Sequence, residues 1–289
     1  MPVAIITGAS RGLGRALAEE LAGRGWDLVL DGRDAEALRR AANVLISDQS
    51  PHRSYIGDKG ASHAGAGGEG PKQPAGGRVR AVPGDVTHPG HRAELLAAAR
   101  ELGGGRGPDL LVNNASALGA EPLVPLADLS EDGLRQALET NVLAPFALIR
   151  AALPGLRAAG GAVLNVSSDA AVAAYPTWGG YGAGKAALDH LSAVLAEEEP
   201  GVRVWWVDPG DLRTGLYAAA VPDDPDFGQR PLPEQVAPAV LRLLDGPAGS
   251  GRYVAAELAE AAEAADAAEP AGSVRSAEPP AVSDPEPVR

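Results

Sequence analysis

The sequence predicts an α/β domain of three layers, a doubly wound parallel sheet with helices on both faces. Short β-branched or leucine-rich runs alternate with longer helical patterns along the chain, the order expected of parallel strands joined by crossover helices. The 289 residues are 45% hydrophobic and 4% aromatic, which suits one domain with an aliphatic core plus spare sequence. The chain's conspicuous motifs follow its strand-like runs, where ligands bind in sheets of this kind.

The elements follow in order. A first strand over Val3–Thr7 leads through a glycine-rich turn into a helix over Leu13–Arg24, and a second strand over Leu28–Leu30 into a helix over Ala35–Leu45. From Ser47 to Arg78 the apolar rhythm stops, and Gly and Pro fill 8 and 3 of 32 positions. Such a stretch buries too little apolar surface to offset its ordering entropy, so 47–78 is expected to be a disordered insertion in a surface loop. The pattern resumes with strand Val79–Pro83, helix Arg92–Leu102, strand Leu110–Asn113, helix Leu134–Leu156, strand Ala162–Ser167, helix Tyr181–Glu198, strand Val202–Val207, helix Pro233–Leu244 and a short last strand at Tyr253. One domain over 1–254 results. Residues 255–289 read as an acidic, Ala/Glu/Pro-rich tail with eight acids against Arg275 and Arg289. The acids from Glu257 to Glu269 recur every third residue, a spacing that allows a short solvated helix but sets like charges against one another, and the tail is expected to be disordered, above all beyond Pro270.

Composition narrows the function classes. With no cysteine, disulfides and thiolate metal sites are excluded. A formal charge of -13 argues against nucleic acid or an anionic membrane as the main partner. No run approaches eighteen uninterrupted apolar residues, and the first strand starts close to Met1, so a cytoplasmic protein is expected. The five histidines show no ligand spacing, and no metal site is expected.

Thr7-Gly8-Ala9-Ser10-Arg11-Gly12-Leu13-Gly14 follows a strand and opens a helix. Its backbone N–H groups and the helix dipole there suit a pyrophosphate. Farther along, Tyr181 and Lys185 stand four apart on one helix face. An ammonium about 4 Å from a phenol lowers its pKa by at most about three units at an effective dielectric constant near 20. Lys59 and Lys72 fall in the insertion, so Lys185 is the one lysine of the predicted folded part, which suggests a task that arginine cannot do.

In order and in strand context, Gly8/Gly12/Gly14, Asp85-Val86, Asn113-Asn114-Ala115, Asn141, Ser167-Ser168, Tyr181-x3-Lys185 and Pro209-Gly210…Thr214 resemble the short-chain dehydrogenase/reductase family over Val3 to about Val254. The resemblance implies a Rossmann-type domain that moves a hydride between a nicotinamide cofactor and a carbonyl/secondary alcohol pair. It makes Tyr181 the general acid/base and Lys185 the residue that lowers its pKa and holds the nicotinamide ribose. Ser168 becomes the hydroxyl that orients the substrate carbonyl, Ser167 being the weaker choice, and Asn141 anchors a proton-relay water. Read without the family, Asn141 is a helix-interior asparagine bonded to a backbone carbonyl, and both readings are compatible. The implied cofactor site takes Gly8, Ser10, Arg11, Gly12, Leu13 and Gly14 from the loop, Arg33 after the second strand, Asp85 and Val86 after the third, and Asn114, Ala115 and Ser116 after the fourth. Tyr181, Lys185, Pro209, Gly210, Leu212 and Thr214 complete it.

The sequence departs from the family twice. Asn-Asn-Ala-Gly reads Asn113-Asn114-Ala115-Ser116, which places a side chain where backbone approaches the adenosine half and is expected to tune cofactor contact. Tyr-x-Ala-Ser-Lys reads Tyr181-Gly182-Ala183-Gly184-Lys185, putting two glycines in a helix at about 1 kcal/mol each relative to alanine; close packing against cofactor or a partner subunit would account for them. Thr214 through Leu232 resembles the family's variable substrate lid or, equally, a plain mobile loop, with Trp178 and Tyr217 as candidate substrate-facing aromatics. Trp205 and Trp206 read as packing.

Cofactor choice turns on strand register. NAD users in the family place an acid at the end of the second strand, and NADP users a basic residue just after it, often with another in the glycine loop. Counting along Leu28-Val29-Leu30-Asp31-Gly32-Arg33 puts Gly32 at the acid's position, with Arg33 next and Arg11 in the loop. NADP(H) is therefore expected over NAD(H), whereas a slip of one residue would bring Asp31 to the ribose. The resemblance also implies a small-molecule carbonyl or alcohol substrate and a homodimer or homotetramer formed through the helices bearing Asn141 and Tyr181. Other readings are a non-catalytic dinucleotide-binding regulator, and an epimerase or dehydratase on the same scaffold.

Overall fold

The computed structural model describes residues 1–47 and 77–268. The disorder expected over 47–78 thus falls, apart from the end residues Ser47, Gly77 and Arg78, outside the described residues, as does the tail beyond residue 268.

Seven parallel strands form one sheet: β1 (Val3–Ile6), β2 (Asp27–Gly32), β3 (Val79–Pro83), β4 (Leu110–Asn113), β5 (Ala162–Val166), β6 (Arg203–Asp208) and β7 (Gly251–Val254), in the order β3-β2-β1-β4-β5-β6-β7. The chain runs outward in one direction from β1 to β3 and then restarts at β4 on the other side of β1. That reversal leaves a crevice beyond the carboxyl ends of β1 and β4, the standard position for a ligand in an open parallel sheet.

Connecting helices α1 (Gly12–Gly23), α2 (Ala35–Ser47), α3 (Pro89–Leu102), α4 (Glu131–Leu138), α5 (Ala144–Ala159) and α6 (Gly179–Glu198) are followed by a short α7 (Gly215–Ala220), then α8 (Pro233–Leu241) and α9 (Ala255–Ala268). Every residue of β1, β2 and β4 is buried, because a strand covered on both faces reads as a continuous apolar run rather than an alternating one. Successive side chains still part to opposite faces. Ile6, Leu28, Leu30 and Val112 join Leu17, Leu21, Val240 and Leu241 in one core layer, and Ile5, Val29, Leu111 and Val163 join Leu95, Leu148 and Leu156 in the other. Trp205 packs in the first layer and donates its indole N–H to the Gly249 carbonyl at 3.1 Å, in keeping with its reading as a packing residue.

Two features differ from the sequence-based expectation. The helix predicted over Leu134–Leu156 begins earlier, at Glu131, where the Ser130 hydroxyl accepts the Gly133 N–H at 3.0 Å as an N-cap. It then widens into a π-helical turn over Glu139–Leu143, a distortion frequent at functional sites. The acidic tail, where the sequence sets disorder against a short helix, opens with α9. Ala255 is buried and Leu258 packs on the first core layer, so apolar contact at i, i+3 outweighs the repulsion among exposed acids.

Candidate active site

One cleft of about 590 Å³ runs across the carboxyl ends of the strands, from the β1–α1 loop past Ser168, Tyr181 and Lys185 to α7. Its floor at the switch point is a latch between β1 and β4. The Thr7 hydroxyl accepts the backbone N–H groups of Asn114 and Ala115 at 2.9 and 3.0 Å, and the Asn114 side-chain amide donates to the Thr7 and Gly8 carbonyls at 2.9 and 3.1 Å. Gly8 is left-handed, with φ 64°, and a Cβ there would lie 2.9 Å from the Ala115 Cα. A Cβ at Gly14 would meet the Asn114 amide and the Gly8 carbonyl.

The cradle fits a dinucleotide. The glycines leave backbone exposed where side chains would fill the space, and α1 starts at Arg11 without a side-chain cap, so its first N–H groups remain available to a pyrophosphate. Ser10, Arg11, Gly12, Leu13, Arg33, Asp85, Val86, Asn114, Ala115, Ser116, Pro209, Gly210, Leu212 and Thr214 all line the same cleft. Arg11 and Arg33 are exposed at its edge. The Asp85 carboxyl, which burial raises, is held below its ordinary value by hydrogen bonds from Thr87 and by the nearby Arg33 charge. Gly210, also left-handed at φ 74°, donates its N–H to Asp208 at 3.0 Å. Thr214 caps α7 by accepting the Tyr217 N–H at 3.2 Å.

At the other end, Tyr181 and Lys185 lie on α6 and are both buried. The Lys185 ammonium donates to the Val166 carbonyl at 2.6 Å and sits 5.5 Å from the centre of the Tyr181 ring. Burial pushes the Tyr181 phenol up to about 12, with hydrogen bonding to the Ser116 and Ser168 hydroxyls drawing it the other way. Burial also brings the Lys185 ammonium down to about 8, against the opposing charge of Asp189. The lowered phenol expected from the sequence is thus not found: desolvation is the largest influence on it, and the Lys185 ammonium is bonded to the Val166 carbonyl. Trp178 meets the Tyr181 ring edge-on at 5.5 Å.

Ser168 follows β5, accepting the Ala170 N–H at 3.1 Å and donating to the Asp169 carboxylate at 3.0 Å. Ser167 also lines the cleft but donates its hydroxyl to Asp189. Asn141, in the π-helical turn, locks the loop after β4: its side-chain oxygen accepts the Ala117 N–H at 2.9 Å and the Ser116 hydroxyl at 3.2 Å, and its amide donates to the Ala117 carbonyl at 2.9 Å. Asn141 therefore meets its backbone partner in this loop, not in its own helix. Ser116, expected near the adenosine half, has its hydroxyl at Asn141 and Tyr181 instead.

The two glycines of α6 have a local reason. A Cβ on Gly182 would lie 2.6 Å from the Ala170 carbonyl oxygen, and one on Gly184 would lie 3.3 Å from the Asn141 Cβ. They let α6 approach the turn after Ser168 and the π-helical turn, and that contact lies within the chain. Beyond Thr214 the lid segment is internally braced. Tyr217 stacks on Phe227 with ring centres 6.3 Å apart, and Arg230 lies over the Tyr217 ring while pairing with Asp224 and Asp211, both at 3.1 Å. Tyr217 and Trp178 both line the cleft.

Sequence reasoning missed a charged brace behind the site. From β7, Arg252 donates to Asp189 at 3.2 Å, to the Ser168 carbonyl at 3.0 Å and to Asp208 at 3.4 Å. Asp189 lies one helical turn after Lys185 on the same face, a spacing visible in the sequence. Arg252 carries no local signal, because only the β6–β7 pairing brings it there.

A switch-point cradle for a dinucleotide, continuous with a cluster of hydroxyl, phenol and ammonium groups, defines a dinucleotide-dependent oxidoreductase. The chain belongs to the short-chain dehydrogenase/reductase family: the family model for short chain dehydrogenases matches residues 2–58 and 68–225. A sepiapterin reductase of Xenopus laevis is 34% identical over 226 residues, 75% of each chain. An alcohol dehydrogenase from the archaeon Thermococcus sibiricus, complexed with 5-hydroxy-NADP, superposes with a TM-score of 0.71 at 28% identity, covering 88% of this chain and 95% of its own. A short chain dehydrogenase of Shigella flexneri complexed with NADP gives 0.72 at 25% identity, over 88% and 97%.

Proposed function

We propose that the protein is an NADP(H)-preferring oxidoreductase that interconverts a small-molecule carbonyl compound and its secondary alcohol, with Tyr181 as the general acid/base. The observation that carries this reading is the placement of the buried Tyr181 phenol among the Ser116 and Ser168 hydroxyls and beside the buried Lys185, at the end of the cradle opposite the glycine loop.

The glycine loop, Asn114 to Ser116 and the Pro209–Thr214 segment hold the dinucleotide in this scheme, with Arg11 and Arg33 at the 2′-phosphate. Once bound, the cofactor supplies or accepts the hydride. A phenol held near 12 keeps its proton at neutral pH, so in reduction Tyr181 is already in the form that donates to the carbonyl oxygen. The Ser168 hydroxyl exchanges its Asp169 partner for the same oxygen and fixes its direction. Lys185, near 8, carries its charge at neutral pH and stabilises the phenolate left behind. Asn141 holds the Ser116–Ala117 loop against the phenol. Trp178 and Tyr217 bound the substrate space, which accepts an apolar or aromatic carbonyl compound.

The test combines NADPH or NADH with ketones, aldehydes, quinones, 3-oxoacyl thioesters and, given the name of the Xenopus relative, sepiapterin, and follows cofactor oxidation by absorbance. Turnover of one class, reduced by several orders of magnitude in Tyr181→Phe while the cofactor Kd is kept, is the expected result. Tight cofactor binding with no turnover of any class would point to a non-catalytic binder. We further propose a homodimer or homotetramer through α6 and the helix bearing Asn141, which runs from the π-helical turn into α5; Leu143, Phe146, Leu191 and Val194 leave large apolar side chains exposed along these helices. A light-scattering mass of one chain at micromolar concentration would refute that assembly.

A further inference from the structure

Asp31 is the next-to-last residue of β2, one before Gly32 at the acid's position, and it lines the same cleft, yet its side chain is buried and both its oxygens are engaged. One accepts the Gly8 N–H at 3.1 Å, and the other lies 2.6 Å from His91 Nε2. That contact is a hydrogen bond between the carboxylate oxygen and the imidazole, and it leaves neither oxygen of Asp31 without a partner. His91 stands in the first turn of α3 and is itself buried. Gly84, between β3 and α3, makes room for it, since a Cβ there would lie 2.6 Å from the imidazole Cε1. The backbone of Asp31 is also tied down, with its carbonyl accepting the Ala9 N–H at 2.7 Å. The next residue, Gly32, presents only backbone to Ser10, and Arg33 is then exposed.

We propose that His91 is a specificity-determining residue, which by holding the Asp31 carboxylate inward against the glycine loop keeps this acid, one residue before the ribose-reading position, from turning to the ribose and leaves that site open to a 2′-phosphate. The proposal rests on the reading that Arg11 and Arg33 meet the 2′-phosphate. Its physical content is simple. A free carboxylate that reaches the ribose accepts hydrogen bonds from its diol and repels a phosphate dianion, whereas one held by an imidazole and a backbone N–H is kept from the diol and farther from the phosphate. His91 touches only Asp31 in this role, so it is a positioning residue that acts on the cofactor through the acid.

The full-length protein is titrated with NADPH and with NADH, reading Kd from cofactor fluorescence, for the parent, His91→Leu, Asp31→Asn and the double variant. In His91→Leu the NADPH Kd rises by about tenfold or more, from a newly unpaired acid near a phosphate, while the NADH Kd is unchanged or lower. Adding Asp31→Asn removes the charge, and the NADPH Kd returns to within about threefold of the parent. A merely structural role for His91 would weaken both cofactors together and would not be rescued by Asp31→Asn; either result, with the circular dichroism of the parent retained, overturns the proposal. Should His91→Leu fail to fold, Asp31→Asn alone decides: an unchanged NADH Kd agrees with an inward acid, and a rise of about tenfold shows that Asp31 already reads the ribose. The parent's own NADPH/NADH ratio tests the 2′-phosphate reading, and the change of that ratio on removing His91 tests the proposal, so either can fail without the other.

Discussion

The guanidinium of Arg252, on the last strand, donates to the backbone carbonyl of Ser168 at 3.0 Å and reaches Asp189 and Asp208 from the same position. It therefore joins β7 to the turn bearing Ser168, to the helix bearing Tyr181 and Lys185, and to the Asp208 carboxylate that holds the Gly210 N–H.

Arg252→Ala leaves two largely buried carboxylates without their cation and frees the Ser168 carbonyl. We expect kcat to fall by roughly ten- to hundredfold, as displacement of a reacting group by about 1 Å does, with the cofactor Kd rising by less, since Asp208 keeps its hydrogen bond from Gly210. Arg252→Lys should restore little, since one ammonium cannot span three acceptors in fork geometry. Steady-state kinetics beside cofactor titration checks the split, and equal losses in both would show that the brace is only structural.

Gly182→Ala would gain about 1 kcal/mol of helix propensity, but its Cβ would stand 2.6 Å from the Ala170 carbonyl oxygen. Backbone cannot swing aside as a flexible side chain does, and overpacking of this kind costs about 1–3 kcal/mol. The expected outcome is a lower urea midpoint with an unchanged m-value, and Gly184→Ala, whose nearest contact is 3.3 Å, should lose less. A Gly182→Ala variant as stable as the parent would mean that α6 can retreat from the Ser168 turn.

Much of this arrangement was legible in the sequence, and the parts that were not share a cause. The seven strands could be found because each is a short apolar run between turn residues, and the switch point follows from their alternation with helices. Gly8, Gly14 and Asn114 could be placed because strand-to-helix position fixes where their backbone lies. By contrast, the direction of the Ser116 hydroxyl, the inward turn of Asp31 and the reach of Arg252 depend on side-chain geometry between elements 25 to 84 residues apart. The π-helical turn at Asn141 is likewise a response to the loop it binds, with no signature in its own Glu139–Leu143 sequence. The start of α9 stayed undecided in the sequence because the acid spacing argues against a helix, while the apolar pair Ala255/Leu258, which anchors it, shows its weight only once packed on the core.

The acid–base balance of the site sets a pH dependence. Burial brings Lys185 down to about 8, and the Asp189 carboxylate works in the opposite direction by favouring the ammonium. Tyr181, held near 12, stays protonated well above neutrality, so the descending limb of the reduction reaction belongs to Lys185. Activity should be full below that limb and fall as pH rises through about 8. Asp189→Asn removes the charge that favours the ammonium and should move the limb to lower pH; kcat/KM measured between roughly pH 6 and 10 reports the free enzyme directly. A limb that stays in place in Asp189→Asn would assign it to another group.

Arg33→Ala addresses the choice between NADPH and NADH. The Gly8 N–H and His91 occupy the Asp31 carboxylate, Gly32 offers no side chain, and Arg33 is the first side chain after β2 that is exposed at the cleft. Arg11 stands across from it at the N-cap of α1. With no free acid at the strand end and two guanidinium groups in reach, a 2′-phosphate gains charge-assisted hydrogen bonds that a 2′-hydroxyl does not. Each contributes about 1.5–3 kcal/mol, so one retained contact gives roughly a ten- to hundredfold preference for NADPH in kcat/KM. Arg33→Ala should lose most of that ratio through NADPH alone, leaving NADH within about twofold, and Arg11→Ala should lose a smaller part because the helix N-terminus still attracts the anion. Comparable kcat/KM for the two cofactors in the parent, or an equal fall for both in Arg33→Ala, would place the 2′-phosphate site elsewhere.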